Sequence, residues 1–398
     1  MGIRPLTAHE AKRHFEAGMQ AFNQGDHQQT LAHLQRAIAS YPGYAQAHYM
    51  LGSIYYQQQD YQQAQQALEQ AITNYPGYAE AHYLLGLTLY QQQRFEAAKK
   101  AVQQALTVYP RYEEAHTLRA TLAEQRQDWT EALEAYRQVV QLNPTNVEAW
   151  LRLAIALEQT GQAAEAVRAY QQVLAHAPQH LEALLRLGIL AEQQGQGQDA
   201  LAAYQAILQR QPDHAEVLYR LAVLYDTQGE AASAIATYTR LLALHPSHAE
   251  AALYLGLLQE KQGDEAAAER AYKQAIAARP HFVEALYRLS LLYKKRQQTP
   301  QAVEILHQVL HYQPNHAEAH YTLGLIYVEL KQYRTAVSQF EAALAARPDF
   351  REAHYSLGIC YEFYLPNIAN ALEHYRRFLA LGGTDDRVQQ LVEYSRRR

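Results

Sequence analysis

Residues 147–180 read VEAWLRLAIALEQTGQAAEAVRAYQQVLAHAPQH, and two helices joined by a glycine turn are legible in them. Trp150, Leu153, Ala154 and Leu157 fall at i, i+3, i+4 and i+7, the buried stripe of a first helix. Gly161 marks the turn, where a positive φ is easiest for glycine. Tyr170 and Val173 supply the buried face of a second helix, and the small Ala154 and Ala166 let the two helices approach closely. Pro178 stops that helix, because it has no N–H and restricts the residue before it.

The unit recurs along nearly the whole chain. Pro42, Pro76, Pro110, Pro144, Pro178, Pro212, Pro246, Pro280, Pro314 and Pro348 lie 34 residues apart without a slip. Counting repeats from Ala11, position 8 is Gly18, Gly52, Gly86, Ala120, Ala154, Gly188, Ala222, Gly256, Ser290, Gly324 and Gly358. Position 20 is alanine in nine of the first ten repeats, Thr30 being the exception, and position 24 is bulky throughout, from Leu34 to Phe340. Repeats two and three are close copies, Ala47-His48-Tyr49 against Ala81-His82-Tyr83, and have the look of a duplication.

This small-small-large-proline pattern at a period of 34 resembles the tetratricopeptide repeat family. The resemblance implies an all-α fold, a right-handed superhelical solenoid of eleven 34-residue helix-turn-helix repeats with a C-terminal capping helix. The expected repeats are 11–44, 45–78, 79–112, 113–146, 147–180, 181–214, 215–248, 249–282, 283–316, 317–350 and 351–385, the last with one residue inserted around Leu365-Pro366-Asn367. Residues 1–10 read as a lead-in, and 386–398 as a capping helix and basic tail, with Val388, Leu391 and Val392 on one face and Arg396, Arg397 and Arg398 as solubilising charge. In repeat nine, Thr299-Pro300 reads as an N-cap followed by proline at the first helical position.

Composition narrows the function. The 398 residues carry a formal net charge of −5, which provides no basic field for a phosphate backbone, so nucleic acid is not the expected partner. The single cysteine, Cys360, forms no disulfide framework or cysteine zinc site and reads as a small buried hydrophobe. No stretch approaches the ~20 apolar residues of a membrane span, and the N-terminus has no signal-peptide run, so a cytoplasmic protein is expected. The 10 residues before the repeats and 13 after them leave no room for a catalytic domain; neither catalysis nor a cofactor is expected.

Positions 2, 5, 9 and 12 of each first helix lie opposite its buried stripe, and in the family this face lines the concave groove. Position 5 reads Phe15, Tyr49, Tyr83, Thr117, Leu151, Leu185, Tyr219, Leu253, Tyr287, Tyr321 and Tyr355. Tyrosine offers contact area at low entropic cost and a hydroxyl for a guest backbone; equally, position 5 serves to pack neighbouring helices. Position 12 begins Phe22, Tyr56 and Tyr90 and then turns acidic with Glu124, Glu158, Glu192, Asp226 and Glu260, a ladder suited to a cationic segment. Position 6 carries Arg152, Arg186, Arg220 and Arg288, each four residues after a glutamate (Glu148, Glu182, Glu216 and Glu284) in the favourable i, i+4 order. The expected function is an interaction scaffold, monomeric or weakly self-associating, that holds extended protein or peptide segments, some of them basic, in the groove. A self-assembling structural protein and a non-catalytic targeting subunit of an enzyme complex are the alternatives.

Two narrower readings fail on the residues. His316 and His320 are spaced i, i+4, but the glutamate between them is misplaced for a zinc-protease motif, and no metal is expected. Chaperone-binding relatives grip a C-terminal carboxylate with lysine and asparagine, and positions 5, 6 and 9 carry neither.

Overall fold

From repeat two onward, the first helix of each repeat starts on the repeat's first residue: Ala45, Ala79, Glu113, Val147, Leu181, Ala215, Ala249, Val283, Ala317 and Arg351. The computed structural model describes residues 5–396, and no strand occurs among them. The chain is an all-helical array of repeats. It divides into two compact units, 1–206 and 207–398. Within each unit a first helix packs on its own second helix and on the second helix that precedes it.

Capping fixes the helix starts. Position 16 caps the second helix: Asp26, Asp60, Asp128 and Asp264 accept from the backbone N–H three residues on, at 2.9–3.1 Å. Gln298 occupies that position in repeat nine, so its second helix runs Thr299–Tyr312. Thr299 is therefore the first helical residue rather than the N-cap, and Pro300 the second; the Gln298 carbonyl already accepts from Ala302 N at 3.0 Å. Position 34 caps the next first helix, through Asn146 and through Nδ1 of His180, His214, His248 and His316.

The turn at position 15 keeps its left-handed backbone where the glycine is missing. Gly161 has φ +75°, and Gln59, Gln93, Gln127, Gln297 and Lys331 hold φ between +57° and +63°. A side chain there costs about 1–3 kcal/mol, which the packing of the two flanking helices sustains.

The helix pairs close through positions 8 and 24. A Cβ on Gly256 would lie 2.6 Å from Cε1 of Tyr272, and one on Gly188 2.5 Å from Cε1 of Tyr204. The ring at position 24 thus fills the space above position 8, and Tyr170, Tyr204, Tyr238 and Tyr272 are fully buried.

The ends depart from the sequence reading. The first helix runs Pro5–Asn23, so residues 5–10 of the lead-in already belong to the first helix of repeat one, with Ala11 buried, and residues 1–4 lie outside the described residues. In repeat eleven a π segment, Cys360–Tyr364, follows the helix Arg351–Ile359. Its Leu365 N–H donates to Cys360 O, five residues back, and that wider turn absorbs the inserted residue. Asn367 then caps Ile368–Ala380. The last helix, Asp386–Arg396, lays Val388 and Val392, both buried, and the partly buried Leu391 on Ala371, Tyr375 and Phe378. Arg397 and Arg398 lie outside the described residues.

Candidate functional site

The periodic proline has a second use that its own chemistry does not announce. Its carbonyl accepts from the ring at position 4 of the following repeat: Nε2 of His48, His82, His116, His320 and His354 lies 2.8–3.1 Å from the oxygens of Pro42, Pro76, Pro110, Pro314 and Pro348. Trp150 Nε1 donates to Pro144 O in the same way at 2.8 Å. These rings clamp successive repeats together. His320 also meets Gln339 through Nδ1, and His316 caps its helix, so both histidines of the i, i+4 pair are engaged within the protein. Cys360 is buried, and burial pushes its thiol up to about 11.

The acidic ladder at position 12 finds partners twelve residues on. Tyr170, Tyr204 and Tyr272, at position 24, donate to Glu158, Glu192 and Glu260 at 2.8, 2.7 and 2.6 Å. Burial first, and then the adjacent carboxylate, raises the phenol pKa at Tyr170 and Tyr272, so the hydroxyl keeps its proton and acts as donor. In the same way burial first, and then the charge of Glu124, raises the Tyr136 phenol pKa. Repeat seven breaks the series: Asp226 is one methylene shorter, and the buried Tyr238 hydroxyl has no partner among the described residues. Repeats one to three, with Leu34, Leu68 and Val102 at position 24, carry an aromatic at position 12 instead. There Phe22, Tyr56 and Tyr90 pack on His27, Tyr61 and Phe95, with ring centroids 5.7–6.4 Å apart. The change from aromatic to acidic along the chain thus follows the side chain opposite. Sequence reading stopped this series at Glu260; Glu362 in repeat eleven belongs to it, accepting from Tyr375 and from Arg387.

The tyrosines at position 5 are half-buried, all but Tyr355 against the ring at position 34 of their own repeat. Tyr49 meets Tyr78, Tyr83 meets Tyr112, Tyr287 meets His316 and Tyr321 meets Phe350 at 4.9–5.0 Å. Tyr219 stacks on His248, and Tyr355 packs on Phe378. Position 5 therefore does help join repeats, while part of each ring stays open.

At position 6 all four expected pairs form. Arg152, Arg220 and Arg288 hold Glu148, Glu216 and Glu284 at 2.7–3.0 Å. Arg186 reaches Glu182 at 3.9 Å and Glu158, in the preceding repeat, at 3.4 Å.

Helix pairs of fixed period, clamped by ring-to-carbonyl bonds and displaying one face of every first helix, define an all-helical repeat protein. Two family models, both described as tetratricopeptide repeat, match residues 55–122, 123–187 and 257–326, and residues 15–79, 185–247, 219–281 and 321–386. The chain belongs to the tetratricopeptide repeat family. No curated protein matches it. Among solved structures, Naa15/Naa10 bound to HypK-THB is similar at 17% identity and a TM-score of 0.50, over 95% of this chain and 64% of that one. MamA is similar at 25% identity and a TM-score of 0.40, over 43% of this chain and 94% of that one. A tetratricopeptide repeat protein from Parabacteroides merdae is similar at 19% identity and a TM-score of 0.43, over 62% and 97%. Members of this family bind protein partners. No helix among the described residues is long and apolar enough to cross a membrane.

Proposed function

We propose that the chain is a scaffold whose first-helix face binds extended segments of partner proteins. The observation that carries this is the row of half-open tyrosines at position 5, Tyr49 and Tyr83 in the first unit and Tyr219, Tyr287, Tyr321 and Tyr355 in the second. Each ring packs against a neighbouring ring, at position 34 for all but Tyr355, so a guest loses little of its binding energy to ordering the site. Around them lie Tyr56, Tyr90 and the ion pairs of Arg152, Arg186, Arg220 and Arg288, which offer hydroxyls and guanidinium donors to a guest backbone. Glu158, Glu192 and Glu260 accept from the chain's own tyrosines and, with Glu124, keep negative charge on this face for a cationic guest. In this reading the chain breaks and forms no bond itself and works in the cytoplasm.

Peptides selected from a random display library against the full chain test the proposal when hydrogen exchange is then measured with and without them. Slower exchange in the first helices supports it. Protection confined to the second helices, or no peptide recovered, overturns it.

A further inference from the structure

Position 2 is glutamate in nine consecutive repeats, from Glu80 to Glu352, and an arginine neutralises it in seven of them. Position 6 supplies that arginine to Glu148, Glu182, Glu216 and Glu284. Position 31 supplies it to Glu250 and Glu318, from Arg279 and Arg347. Repeats three and four differ. Their positions 6 are Leu84 and Leu118, and their positions 31 are Tyr109 and Asn143. Glu80 and Glu114 are exposed, and neither has a cation partner among the described residues.

Each of these two carboxylates stands beside a tyrosine pair. Glu80 acts on Tyr49 and Tyr78, whose rings lie 4.9 Å apart at 41°; Glu114 acts on Tyr83 and Tyr112, 5.0 Å apart at 52°. Burial, then the neighbouring charges, pushes the Tyr83 phenol up to about 12, so the hydroxyls stay neutral. One module, an uncompensated carboxylate near two tilted tyrosine rings, thus occurs twice in successive repeats. The negative ring faces and the carboxylate attract the same kind of group, a cation.

Resting on the scaffold reading above, we propose that repeats two to four form a docking surface for an extended basic segment of a partner, with one lysine or arginine placed at Glu80 and another at Glu114. Adjacent helices pack about 8–10 Å apart and an extended residue spans about 3.3 Å, so the two cations are spaced about three residues apart. The guest supplies the charges that Arg152 and its equivalents supply elsewhere in the array.

The test is fluorescence anisotropy of the full chain with a labelled short peptide repeating Lys-Ala-Gly, against one repeating Glu-Ala-Gly. The lysine peptide binds and weakens with added salt, and the glutamate peptide does not bind. The double variant Glu80→Gln, Glu114→Gln weakens the lysine peptide about tenfold. Glu250→Gln, whose carboxylate Arg279 already holds, leaves the affinity unchanged. No binding of the lysine peptide, equal binding of both peptides, or an unaffected double variant overturns the proposal. If display-selected peptides protect the first helices yet ignore Glu80→Gln and Glu114→Gln, this inference fails and the scaffold reading stands; without protection of the first helices, both fail.

Discussion

Glu158 accepts the Tyr170 hydroxyl at 2.8 Å across the helix pair, so a largely covered acidic residue of the first helix is held by the second. The Tyr170 ring is fully buried beneath it, and Arg186 adds a second donor to the same carboxylate. The bond ties the position that shapes the core to the position that shapes the surface. Tyr170→Phe removes one partner of a charged hydrogen bond and should lower stability by about 1.5–3 kcal/mol in urea denaturation. An unchanged midpoint would assign the bond no energetic role.

Repeat seven offers the converse experiment. Asp226 leaves the buried Tyr238 hydroxyl unpartnered. Asp226→Glu adds the methylene that Glu158 and Glu260 use and should raise stability by about 1 kcal/mol. Asp226→Glu in a Tyr238→Phe background should give no gain, and the pair of measurements isolates the bond.

Gly256 faces the ring of Tyr272 too closely for any side chain. Gly256→Ala gains helix propensity but forces that buried ring to move, and overpacking costs about 1–3 kcal/mol. The expected net result is destabilisation, read as a lower thermal midpoint. Tyr272→Leu in the same chain should relieve part of it.

The turn at position 15 separates backbone strain from packing. Gly161, at φ +75°, makes no contact that a Cβ would disturb, so Gly161→Ala should cost about 1 kcal/mol through backbone strain alone. Gln127 holds φ +57° in the equivalent turn, and Gln127→Gly should be neutral or stabilising. A loss of stability at Gln127→Gly would show that its side chain is needed there.

Acid should act on repeat four through Glu131, which meets Lys99 at 2.6 Å, Arg126 at 2.7 Å and Arg119 at 3.3 Å. Burial raises its pKa, but the hydrogen bonds from Lys99 and Arg119 outweigh that and leave it lowered. A carboxylate with a depressed folded pKa stabilises the fold above its unfolded value, and that stability is lost as pH falls through the folded value. Glu131→Gln should therefore destabilise the protein at neutral pH and flatten the fall in stability below about pH 4.5, measured as urea midpoints across pH.

Much of this molecule was legible before any coordinates, because a 34-residue period makes each local rule repeat. The prolines, the small residues at positions 8 and 20 and the bulky position 24 determined the helix pairs and their boundaries, since each rests on sterics within one or two turns of chain. The cap of Val388 and Val392 was legible for the same reason, from helical spacing alone. What escaped the sequence are bonds that helical periodicity does not announce, most of them set by how one helix meets the next. The ladder at position 12 looked unpartnered because no base stands at i+4; its donor comes from i+12, on the facing helix. The proline carbonyl is shared with a ring of the next repeat, and the insertion near Leu365 disappears into a π turn before it. Local chemistry thus decided the repeat, and only the packing of helix against helix decided which carboxylates are held internally and which, Glu80 and Glu114, are left for another molecule.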